Sequence, residues 1–253
     1  MTQPGHMDME TRLTFPIRRQ PDDVTCGPTC LHAVYEYWGD RVSLRALVSE
    51  IPMLETGGTL AGFLAVNALR RGYSATIYTY NLKLFDPTWF AEPRPDIAEK
   101  LRHQAAHKRS RRLQAATAAY LDFFELGGEL RFEDLTRRLI REHLQRGVPI
   151  LTGLSATFLH RTAREYGDDM IEDDVRGDPS GHFVVLCGYD SASKTVLVAD
   201  PLWPNPVAES HHYPIAIDRV IGAILLGIVT YDANLLLIEP RRNDGTREKP
   251  RRG

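Results

Sequence analysis

The segment Gln20-Pro-Asp-Asp-Val-Thr-Cys26-Gly-Pro-Thr-Cys30 puts a thiol where a loop becomes a helix. Pro28 suits a first helical turn, and Leu31, Val34, Tyr35 and Trp38 follow at three- and four-residue spacing, which predicts a buried helix over 28–38. Backbone N–H groups and the dipole at a helix start favour a thiolate, the nucleophilic form of cysteine. Gly27 lets a substrate come close to the sulfur. Gln20, six residues upstream, offers a side-chain amide that can donate to a developing oxyanion together with the Cys26 N–H.

A cysteine nucleophile needs a base. His182 stands in Gly181-His-Phe-Val-Val-Leu-Cys-Gly-Tyr, at the mouth of an apolar strand, and Asp200 closes the next one in Val196-Leu-Val-Ala-Asp-Pro. A short antiparallel turn between these strands brings His182 and Asp200 to the same sheet end, where the carboxylate can hold the imidazole in the useful tautomer. Taken singly, each residue also has a structural reading: a packed thiol, a strand-start histidine, an Asp-Pro turn. The ordered set Gln20, Cys26, His182 and Asp200 favours catalysis over those readings.

Gln20…Cys26-Gly-Pro-Thr-Cys30, Gly181-His-Phe-Val-Val-Leu and Asp200-Pro201 together resemble the family thirty-nine cysteine peptidases. These are papain-like domains best known for cleaving bacteriocin leaders after a double glycine, often fused to an exporter. The likeness runs from about residue 12 to 201. It implies a papain-like α+β fold, Cys26 as nucleophile, His182 as base, Asp200 as orienting residue and Gln20 as oxyanion donor. No transporter is expected with this domain, Thr25 stands where the family often has Asp, and the stretch around 90–130 is longer than such domains require.

The remaining candidates are weaker. Cys30 lies one helical turn from Cys26 without Cys-x-x-Cys spacing, and Cys187 sits inside an apolar strand, so both read as packing residues. His32, His211 and His212 do not combine with the cysteines at a zinc spacing; neither metal nor cofactor is expected. Trp89 and Phe90, in Asp86-Pro-Thr-Trp-Phe, are candidate walls of a substrate subsite beside Gly27 and Gly181, with core packing as the competing reading. The acidic run Glu165, Asp168, Asp169, Glu172, Asp173, Asp174 and Asp178 leads into His182, either as solvated surface or as a selector for basic peptides.

Around these residues the chain divides into helices first and strands last, the order of an α+β domain. A short strand is predicted at 13–17, helices at 43–48 (capped by Ser43) and from Thr59 to Gly72, then a strand at 73–80. Residues 96–124, rich in Ala, Arg, Leu and Gln without interior Gly or Pro, predict one helix, and 132–146 another, with a strand at 148–154. Strands are predicted at 183–189, 195–199, around 212–217, at 224–231 and at 235–239. Their close spacing leaves no room for the helical crossovers of a doubly wound parallel sheet. The expected organisation is a disordered 1–11, a single domain over 12–240 with a helical insertion at about 90–130, and a basic tail at 241–253.

Composition sets outer limits. With 253 residues, 43% hydrophobic and 25% charged, the chain can bury a real core. A net charge of −2 offers no general attraction to nucleic acid or anionic lipid, and the basic 100–112 stretch lacks interleaved aromatics, so neither partner is expected. Three cysteines and no basic-then-apolar start fit a reducing, cytoplasmic setting. Nothing in the sequence sets the oligomeric state. The expected partner is a peptide or small protein and the expected reaction is cysteine-peptidase or amide hydrolysis. The alternatives are acyl or peptidyl transfer through the same thioester, and a pseudopeptidase that only binds.

Overall fold

The computed structural model describes residues 10–241, Thr56 and Asp168 excepted. In chain order the elements are β1 (Thr11–Arg12), α1 (Cys26–Tyr37), α2 (Leu44–Glu50), α3 (Ala61–Arg70), β2 (Tyr73–Thr79), α4 (Ile97–His107), α5 (Arg111–Glu125), β3 (Glu129–Arg131) and α6 (Arg137–Gln145). There follow β4 (Ile150–Ser155), α7 (Ala156–His160), β5 (Glu165–Tyr166), β6 (Ile171–Glu172), β7 (Gly181–Asp190), β8 (Thr195–Ala199), β9 (His212–Ala216), α8 (Ile217–Leu226) and β10 (Asn234–Pro240).

The main sheet runs β3-β2-β10-β4-β7-β8-β9, with β1 added to the far end of β7. Every pairing is antiparallel except β2 with β3. Two-residue alternation divides the side chains of the central strands between two layers. Phe183, Val185 and Cys187 face α1 and its Cys30, Leu31 and Val34 in one buried cluster. Val184, Leu186, Val196 and Val198 lie in a second with Ile217, Val220, Ala223 and Ile224 of α8. The sheet is therefore sandwiched, and its edge at the start of β7 and end of β8 is left for the chemistry.

Several sequence expectations move. Residues 224–231, β-branched and apolar, are not a strand: Ile217, Val220, Ala223 and Ile224 are buried at helical spacing, Leu225 and Leu226 are exposed, and a 3₁₀ turn at Gly227–Thr230 follows. The single helix over 96–124 is two, because Ser110 accepts a hydrogen bond from Leu113 N (3.4 Å) and starts α5 anew after the break at Lys108. The 132–146 helix starts only at Arg137, capped by Thr136, and β3 precedes it. Thr59 is not a cap; its hydroxyl donates to Pro52 O (2.8 Å), and Leu60 holds the cap position. The strand expected at 13–17 forms two residues earlier, where Thr11 pairs Tyr189 within the stretch expected to be disordered. Residues 1–9 and 242–253 lie outside the described residues.

Candidate active site

Cys26 is the first residue of α1, and Thr25 before it makes no capping bond to the helix. No acid stands in the first turn of the helix. The loop that delivers Cys26 is stiffened by Asp22, whose Oδ1 accepts from Val24 N (3.1 Å). It is tied to the opposite strand end by Gln20 N–H donating to Pro201 O (3.0 Å). A Cβ at Gly27 would lie 2.6 Å from Thr59 Cγ2 and 3.3 Å from Phe183, so the missing side chain lets α1 seat against β7.

The candidate base, His182, comes from the adjoining strands. In the β4–β7 register Leu154 stands opposite His182, and β7 pairs antiparallel with β8, so the first residues of one and the last of the other share an end. His182 Nε2 lies 2.8 Å from Asp200 Oδ1, so Nδ1 takes no part in that contact, and Cys26 lies beside the ring. Burial disfavours the imidazolium, but the Asp200 carboxylate and Cys26 beside it outweigh burial and hold its pKa up to about 10. Asp200 is fully buried; burial opposes its charge, yet the His182 and His160 imidazoles keep it well below the usual carboxylate range.

Two further side chains meet that carboxylate: His160 Nε2, 3.1 Å from Oδ2, and the Tyr213 hydroxyl, donating to Oδ2 at 2.7 Å. Sequence reading passed over both. Neither has a motif around it, and each reaches Asp200 only through the pairing of β4 with β7 and of β8 with β9.

Gln20 is buried, with Nε2 donating to Asp22 O (2.9 Å) and Oε1 without a protein partner. One amide hydrogen is thus spent on the loop and one remains unspent. Gln20, His160, Gly181 and His182 line a cleft of about 400 Å³. Asp23, Glu165, Asp169 and Glu172 put four carboxylates on it, and no Lys or Arg is among its lining residues. A larger depression beside His32 and Glu36 holds no paired thiol and imidazole.

Trp89 and Phe90 do not reach this cleft. Both pack on the helical-side cluster, and Phe90 stacks on Phe132 at 5.0 Å. Of the acidic run, Asp173 is engaged by Arg176 at 2.6 Å, Glu165 bridges Asp178 through the backbone, and Asp168 lies outside the described residues. Cys30 and Cys187 are buried thiols donating to Phe183 O (3.2 Å) and Leu197 O (3.6 Å), and burial pushes Cys187 up to about 12.

The Peptidase_C39 like family matches residues 12–218, which takes in Gln20, Cys26, His160, His182, Asp200 and Tyr213. The chain belongs to that family. With this membership goes the α+β, papain-like peptidase fold expected from the motifs. Among solved structures, the C39-like chain is similar to a putative C39-like peptidase from Bacillus anthracis (15% identity, 92% of this chain and 98% of that one, TM-score 0.49). It is also similar to a double glycine motif protease from an AMS/PCAT transporter in complex with its leader peptide (14%, 92% and 96%, TM-score 0.45). A third is xylellain, a cysteine protease from Xylella fastidiosa (14%, 92% and 86%, TM-score 0.42). No curated protein matches the chain. Among its described residues, no helix is long and apolar enough to cross a membrane.

Proposed function

We propose that this protein is a cysteine peptidase that cleaves a peptide or small protein through an acyl-enzyme thioester on Cys26. The observation that carries the reading is the pairing of His182 with Asp200 at 2.8 Å, with Cys26 beside the same imidazole, at an open cleft. Cys26 attacks the scissile carbonyl, and the Cys26 N–H with the remaining Gln20 amide hydrogen receives the oxyanion. His182 gives its Nδ1 proton to the leaving amine, then takes one from the water that hydrolyses the thioester. Asp200 stays charged throughout and stabilises the imidazolium. A reducing, cytoplasmic setting suits the three free thiols.

The reading is tested by iodoacetamide at neutral pH, which should label Cys26 selectively, and by product analysis of a peptide library with and without added hydroxylamine. Hydrolysed products support it. Amine adducts formed in preference to hydrolysis assign a transferase, and a Cys26 that resists labelling assigns a pseudopeptidase. Gln20→Ala should lower kcat by about 10²–10³ with little change in KM, as removal of one oxyanion donor does. A loss confined to KM would make Gln20 a substrate contact.

The carboxylates of the cleft point to substrates with basic residues near the scissile bond. Neutralising Asp169 and Glu172 to amides should raise KM for a Lys/Arg-containing peptide by roughly threefold per charge, more at low salt than high, and leave a neutral peptide unchanged. Equal changes for both peptides would make this wall plain solvated surface.

A further inference from the structure

Asp200 carries more hydrogen bonds than an orienting aspartate needs. Its Oδ1 accepts from His182 Nε2 (2.8 Å) and Leu202 N–H (2.9 Å), and its Oδ2 from the Tyr213 hydroxyl (2.7 Å) and His160 Nε2 (3.1 Å). A carboxylate has about four acceptor positions, so the group is saturated. Two imidazoles share it, their rings 5.7 Å apart and inclined at 60°. The His160 side chain is 3% exposed, which makes it a built part of the centre rather than a surface visitor.

The backbone is shaped to put it there. His160 ends α7, a five-residue turn opened by Ser155, whose hydroxyl accepts from Phe158 N (3.3 Å). The next residue, Arg161, adopts φ 58° and ψ 41°, a left-handed conformation unfavourable for a residue with a side chain. Ser155 itself stands opposite Gly181 in the β4–β7 pairing, so α7 springs from the sheet end that carries His182.

We infer that His160 is a positioning residue of the catalytic centre, acting through Asp200; this rests on the reading of Cys26, His182 and Asp200 as the catalytic set. Held by Tyr213 and His160 on one oxygen, the carboxylate cannot turn about its Cβ–Cγ bond. The other oxygen therefore stays on His182 Nε2, and the imidazole keeps its second nitrogen toward Cys26. Loss of the His160 donor leaves Oδ2 with a single partner and opens the carboxylate to water from the cleft that His160 lines. Both effects weaken the hold on His182.

The test compares His160→Gln, which keeps an N–H of similar reach, with His160→Leu, which keeps volume without a donor. Each is made in the wild type and in Asp200→Asn, and all are assayed below the lowest melting temperature of the set. The rate of Cys26 alkylation by iodoacetamide reads the centre without substrate, and peptide turnover reads kcat and KM separately. His160→Leu should slow alkylation and kcat by about tenfold at unchanged KM, the size of one lost charge-assisted hydrogen bond, and His160→Gln should restore most of it. In the Asp200→Asn background, His160→Leu should add less than about twofold, because the group it works through is already changed. Wild-type rates in His160→Leu would overturn the proposal, as would a full multiplicative loss in the Asp200→Asn background or a Gln variant as slow as Leu. Failure of the underlying reading shows separately, as turnover that survives Cys26→Ala.

Discussion

Cys26→Ala and Cys26→Ser are expected to abolish turnover, by roughly 10⁵–10⁶-fold, with melting temperatures near that of the wild type. Cys26 lies at the edge of the core and its thiol faces His182, so its removal takes away a nucleophile and little packing. Cys30→Ser is expected to do the opposite. Its thiol is wholly buried against Phe183 O, and a hydroxyl there exchanges a weakly polar atom for a strongly polar one at a cost of about 1–3 kcal/mol. Kinetics and thermal melts on both variants settle the assignment. Equal catalytic losses at unchanged melting would point to a dithiol mechanism and remove Cys26 as sole nucleophile.

His182→Ala is expected to lower the acylation rate by several orders of magnitude, and Asp200→Asn by less, since the aspartate never exchanges a proton. The pH dependence has a defined sign. The His182 pKa sits near 10 because Asp200 and Cys26 oppose burial; with Asp200 neutralised, burial prevails and the pKa falls. The imidazolium that donates to the leaving amine is then lost at lower pH, so the alkaline limb of kcat/KM moves toward acid. The same elevation stabilises the fold: its contribution is fully present below the ordinary histidine pKa and is lost as pH rises through about 10. An Asp200→Asn profile with an unmoved alkaline limb would remove Asp200 as the source of that elevation.

Cys26, His182 and Asp200 could be singled out in the sequence because each stands at an end of a strongly patterned element, and Gln20 because of its spacing to Cys26. What escaped were groups whose relevance depends on pairing partners. His160 and Tyr213 are unremarked in sequence and meet Asp200 only once β4 lies beside β7 and β9 beside β8. Gly27 was legible as glycine but not as the seat for Thr59 and Phe183, residues far away along the chain. Trp89 and Phe90 followed a strand that ends near the nucleophile helices in sequence, yet β2 sits two strands away from β4 across β10. The last turn of α8 was misread because it opens the apolar 224–231 stretch, and periodicity over so short a stretch leaves helix and strand hard to separate.

The place of β10 in the sheet has a consequence in time. This last described strand is inserted between β2 and β4, pairing with seven residues of the first and four of the second. Neither flank can join the other before it arrives. A ribosome adding roughly 5–20 residues per second finishes the helix bearing Cys26 some ten to forty seconds before residue 240 is made. Throughout that interval the thiol has no completed sheet to bring His182 and Asp200 against it. The growing chain thus carries its candidate thiol early but brings His182 and Asp200 against it late.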